Sequence, residues 1–206
     1  MSKWFNAPFK RVCLSLLLAG ALVGCQREEA NQAPERVRTS TIVEPETSGI
    51  DSVPEEEPAV ARNSWRAASD NARSTTGNLR VSLDGVRGGP VIFAFANGIT
   101  VNAQPIAAAP ADSRSGVGGQ SYAAIMGGDP RVHVYLYRVI VENVASNVRS
   151  GGLCGPNPTR HLAVSEFVDS AGRWTMRIAA FRSERPPGVS GDDPLLCAAY
   201  SYLAPG

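Results

Sequence analysis

The stretch RVHVYLYRVIVENV, residues 131–144, constrains the fold of this chain more than any other. It is dense in β-branched and aromatic side chains, which fit a pleated, half-buried surface. Shorter runs of the same character surround it. Leu79, Val81 and Leu83 alternate with Arg80, Ser82 and Asp84, the period of a strand with one buried face. The apolar run 91–95 ends at Asn97-Gly98, a dipeptide that favours a tight hairpin turn, and 99–101 resumes the pattern. Residues 161–168 and 174–181 are two more runs, joined by the glycine-bearing link DSAGR, and 197–203 is the last. No ten-residue stretch here has helical periodicity; 119–126 fits either a single turn or a strand. The expectation is an all-β domain over 76–206, a small antiparallel sandwich or barrel of about six to eight strands. The Ala-, Pro-, Gly- and Ser-rich segments 102–119, 150–158 and 186–194 read as loops.

Ahead of this domain the composition changes. Residues 26–75 hold one aromatic side chain, Trp65, four prolines and the acidic run Glu55-Glu56-Glu57, with ten Asp or Glu against six Arg. So few large apolar groups among so many like charges do not offset the entropy cost of ordering. The reading is a disordered tether of about 50 residues, with a mean span of roughly 40 Å as a flexible coil. A short amphipathic helix over 59–72 is the rival reading.

The first 26 residues carry a third pattern. Lys3, Lys10 and Arg11 precede an apolar core, residues 12–23. As a helix that core spans roughly 18 Å, against about 30 Å for a bilayer's hydrocarbon. A secretory signal peptide fits better than a spanning helix. The core ends Leu22-Val23-Gly24-Cys25, and this tetrapeptide resembles the lipobox of bacterial lipoproteins. The resemblance implies that residues 1–24 are removed, that Cys25 carries a diacylglycerol, and that the mature chain sits in the cell envelope on a lipid anchor. Gln26 stands where an inner-membrane lipoprotein usually has aspartate, so the resemblance points to the outer membrane, facing periplasm or surface. Two or three acyl chains meet the requirement for stable attachment.

Of the four cysteines, Cys13 leaves with the signal and Cys25 takes the lipid. Cys154 and Cys197 remain, and an oxidising compartment favours their pairing. Metal ligation and a catalytic thiol are the alternatives. Against metal, the sequence has no CxxC, and His133 and His161 are not at ligand spacing with either cysteine.

Few motifs in the sequence carry recognisable chemistry. GVGG at 116–119 and GVSG at 188–191 lack the spacing and flanking elements of a phosphate loop or nucleophile elbow. Asp192-Asp193 has no further oxygen ligands nearby and reads as a solvated turn. His161, Ser165 and Glu166 are residue types of a catalytic site, but no spacing selects them. No catalytic residue, metal or cofactor is expected. The folded part holds eleven Arg against nine acids with no basic stripe, which argues against nucleic acid. Tyr135 and Tyr137 share one strand face, and Tyr200 and Tyr202 another. If those strands pair, the four tyrosines form a patch suited to a protein or a glycan ring.

These features favour a non-catalytic envelope lipoprotein that displays a β-rich binding or inhibitor module to a protein or cell-wall ligand. Anchor, small β domain and disulfide together are similar in layout to the membrane-bound inhibitors of c-type lysozyme, where a loop lysine enters the enzyme cleft. This chain has no lysine after Lys10, and no residue of that motif carries over. The alternatives are a secreted hydrolase with a histidine–carboxylate site and a structural lipoprotein of envelope assembly.

Overall fold

A computed structural model describes residues 61–188 and 193–206. They belong to Glu44–Gly206, one of the two units into which the chain divides. The expected signal segment 1–24, Cys25 and the chain up to residue 60 lie outside the described residues, as does Asp192.

The described strands close into an antiparallel barrel whose neighbours follow chain order: β1 (Ser64–Ala67), β2 (Leu79–Leu83), β3 (Val91–Phe95), β4 (Ile99–Pro110), β5 (His133–Val144), β6 (His161–Val168), β7 (Trp174–Phe181) and β8 (Leu196–Leu203). The runs read from sequence in β2, β3, β5, β6, β7 and β8 are all strands. The Asn97-Gly98 turn joins β3 to β4 as a hairpin, with Gly98 at a φ of 101°.

Closure depends on β1, which lies inside the stretch expected to be tether. Ser64 and Trp65 pair with β2, and Arg66 and Ala67 pair with β8, so four residues join the two edges. Trp65 is 1% exposed in the core, and its indole N–H donates to the Arg62 carbonyl at 2.9 Å. The ordered domain therefore begins ahead of Thr76, and 59–72 is not an amphipathic helix over its described part. One buried tryptophan anchors a segment whose composition is otherwise polar.

The second departure is β4. Residues 102–110 continue the strand rather than forming a loop. Its register with β5 shifts between Asn102 and Ala103 and again between Pro105 and Ala107. Proline tolerates a bulge better than a regular ladder, so Pro105 sits within the strand without breaking it. Beyond it, the small side chains Ala107 and Ala109, with Ala163 and Ala179 on β6 and β7, form a shallow seat on the outer wall. The connection 111–132 lies on that seat through Ala111, Tyr122 and Met126. Within it α1 (Tyr122–Met126) is a single turn, capped by Ser121 Oγ accepting from Ala124 N–H and by the left-handed Gly127.

Inside the barrel the alternation delivers Val81, Phe93, Val101, Tyr137, Leu162, Ile178 and Tyr202 to one core. The four tyrosines do face inward, but they make no patch. β5 and β8 do not pair, because β6 and β7 lie between them. Tyr137, Tyr200 and Tyr202 are buried, and Tyr135 is half-buried.

Candidate binding site at the rim of the barrel

The meander places the 97–98 turn, the segment 68–78 and the loops 145–160 and 182–195 at one end. The 84–90 and 169–173 turns, both ends of the connection 111–132, Ala61 and the C-terminal residues lie at the other. The first end is plugged. The Tyr200 hydroxyl donates to the Leu153 carbonyl at 3.0 Å. Tyr202 Oη lies 2.7 Å from Thr76 Oγ1 in the π-helical turn Ala72–Thr76. Glu142 receives the Leu153 N–H at 2.7 Å, the Thr159 N–H at 3.1 Å and the Thr159 hydroxyl at 3.0 Å. A Cβ at Gly152 would land on that carboxylate, so a larger residue there forces the carboxylate to shift off its donors. The Cys154–Cys197 disulfide then ties the plug to β8. Two of the tyrosines expected to meet a ligand instead hold this plug.

At the opposite end polar capacity is left unused. Val164 faces the core, so strand alternation also turns Glu166 inward, and Glu166 lies opposite Met176 of β7. Its Oε1 is buried with no hydrogen-bond partner among the described residues. Burial pushes the Glu166 carboxyl up to about 7, partly offset by the positive charge of Arg62. Tyr135 lies opposite Val164, one step along the same inner face. Its phenol is pushed above its ordinary value by burial and then by the charge of Glu166.

The rim itself is apolar and cationic. Val168 pairs with Trp174, and the two are 46% and 41% exposed. The Arg62 guanidinium carbon lies 4.3 Å from the centroid of the Trp174 ring, within cation–π range. Beneath Trp174 the turn is fixed by Arg173, whose Nη2 lies 2.8 Å from Asp169 Oδ2. A cleft of about 310 Å³ runs beside Arg62, lined also by Asn63, Ser64, Ala204 and Pro205. An aromatic face, a carboxyl and a phenol thus share one rim, the chemistry that receives cations.

The other candidates read from sequence do not assemble. His161 and Ser165 lie on the outer face of β6, four residues apart along an extended strand and therefore about 13 Å apart, while Glu166 faces the interior. His161 is buried; its Nδ1 lies 3.1 Å from the Ser183 carbonyl, and burial lowers its pKa. His133 is exposed at the start of β5. Asp193 Oδ1 accepts the Leu195 N–H at 3.1 Å, a local turn. Arg62 and Trp174 carry no motif; one sits in the supposed tether and the other at a strand end, and pairing register alone brings them together.

No protein-family model, curated protein or solved structure matches this chain significantly.

Proposed function

We propose that the chain is a lipid-anchored envelope protein whose barrel is a non-catalytic binding module, working through the rim that carries Trp174. The observation that carries the binding half is the contrast between the two ends. At one end polar groups and a disulfide are spent on closure. At the other the buried Oε1 of Glu166 is left without a partner beside Trp174 and Tyr135. A closed barrel holds such groups in fixed positions, and rigid placement lowers the ordering cost of binding.

The anchoring half rests on the basic start, the short apolar core and Leu22-Val23-Gly24-Cys25. Acyl chains on Cys25 hold the protein at the membrane, and the acidic, proline-bearing segment before Ala61 holds the barrel clear of it. Cys25→Ser tests this half. The variant is expected either to leave the membrane fraction or to stall as the unprocessed chain. The native product should show a mass consistent with cleavage before Cys25 plus two or three acyl chains. Unchanged fractionation, or a lipid-free thiol at position 25, refutes the anchor.

A further inference from the structure

We propose that the rim is a binding site for a guanidinium or primary ammonium group, and that the chain's own Arg62 occupies it until such a ligand displaces it. This deepens the reading of the rim as a binding face and does not depend on the lipid anchor.

Arg62 is held at its backbone and at its guanidinium. Its backbone is fixed by the Trp65 indole N–H on its carbonyl, so its side chain reaches the rim from a defined point just ahead of β1. The guanidinium stacks on Trp174 at 4.3 Å, while among the described residues Arg62 makes no ion pair with Glu166. The cation therefore uses the π face and leaves the buried Oε1 of Glu166 without a hydrogen bond. Arg62 itself is only half-buried. A half-buried arginine over an exposed tryptophan is a weak contact, worth about 0.5–1 kcal/mol in general. A ligand cation that entered deeper would keep the aromatic face and add charge-assisted hydrogen bonds to Glu166. Tyr135, next along the inner face, offers a hydroxyl to the same group. Aromatic wall, carboxylate and phenol together select a hydrogen-bonding cation over a neutral or anionic group.

The chemistry admits two sources, an arginine side chain on a partner protein or a free amine. The experiment separates them. The full chain, ¹⁵N-labelled in detergent, is titrated with butylguanidinium, butylammonium and a blocked Gly-Arg-Gly peptide, with butylurea as the neutral control. The indole N–H resonance of Trp174, assigned with Trp174→Phe, reports binding, and that of Trp65 reports an intact core. Each cation is expected to shift the Trp174 signal. Arg62→Ala, or Arg62→Gln if the first variant disturbs Trp65, should bind them about two- to fivefold more tightly, because the internal competitor is gone. Adding Glu166→Gln to that variant should weaken binding about tenfold. Stronger binding of the peptide than of the small cations identifies a protein partner; the reverse identifies a free amine. The proposal is overturned if no cation moves Trp174 in the Arg62 variant, if butylurea moves it equally, or if Glu166→Gln leaves affinity unchanged. Failure here with normal release of Cys25→Ser removes the cation site and leaves the anchor standing. Cation binding by a chain that carries no lipid does the reverse.

Discussion

Replacing Glu166 by glutamine should stabilise the barrel, and the gain should grow with pH. In the folded chain burial holds the carboxyl at about 7, against an ordinary value of 4.5. A group whose folded pKa is raised keeps its proton in the native state after the unfolded chain has released it. Stability therefore falls as pH rises from about 4.5 through 7, and the loss is complete above that window. At about 1.4 kcal/mol per unit, the ceiling on the cost at pH 8 is about 3.4 kcal/mol. The side chain keeps some contact with water, so about 2–3 kcal/mol is expected. The amide introduced by Glu166→Gln has no titrating proton, keeps the shape and removes the pH-dependent part. The difference in unfolding free energy between variant and parent should widen by about 2 kcal/mol from pH 5 to pH 8.

Urea unfolding of the chain from Gln26, with the disulfide intact, measures that difference directly, since the slope cancels if both proteins expose the same surface. Arg62 provides an internal control. Its charge lowers the Glu166 pKa, so Arg62→Ala should steepen the pH dependence of the parent and leave that of Glu166→Gln unchanged. Parallel pH profiles for parent and Glu166→Gln would show that the carboxyl ionises freely in the fold. That result removes the buried acid from the rim and with it the main support for a cation site.

The plugged end gives two further predictions. Gly152→Ala should destabilise by about 2–4 kcal/mol, because the new methyl displaces the Glu142 carboxylate and its three hydrogen bonds; urea unfolding reads it, and Glu142→Gln in the same background should add little. Removing both Cys154 and Cys197 should cost about 4 kcal/mol by loop-closure entropy for a separation of 43 residues, measured in the same way against the oxidised parent.

What the sequence discloses about the fold tracks how local the signal is. β5, β6 and β7 declare themselves by β-branched density, and the β3–β4 hairpin by Asn97-Gly98. The crosslink follows from having two cysteines left over once the N-terminal pair is set aside. β1 is invisible because half of its four residues pair on each side, so no run of its own is needed. The far half of β4 hides behind alanine and proline, which act there as spacers that seat α1 rather than as breakers. The tyrosines show the limit most sharply. Alternation gives the correct common face for Tyr135 with Tyr137 and for Tyr200 with Tyr202. Whether those faces meet depends on strand order, a long-range property that β6 and β7 decide by lying between. The rim is equally hidden: Glu166 draws notice beside His161 and Ser165, yet the one-residue offset from Ser165 sends it to the other side of the sheet, toward Arg62 and Trp174.

That offset also argues against treating the rim as a defect of packing. A buried carboxyl with a partnerless oxygen is a cost that a closed barrel could avoid with leucine at position 166, next to Val164 and opposite Met176. The same chain satisfies a carboxylate fully at its other end, where Glu142 receives three donors. The difference between the two carboxylates lies in whether the chain supplies the donors. At Glu142 it supplies them from a loop fixed by a disulfide. At Glu166 it supplies one arginine that stacks on the neighbouring indole and stops short of the oxygen. Natural folds retain local cost chiefly where function uses it, and here the unused bond points to a cation that comes from outside the chain.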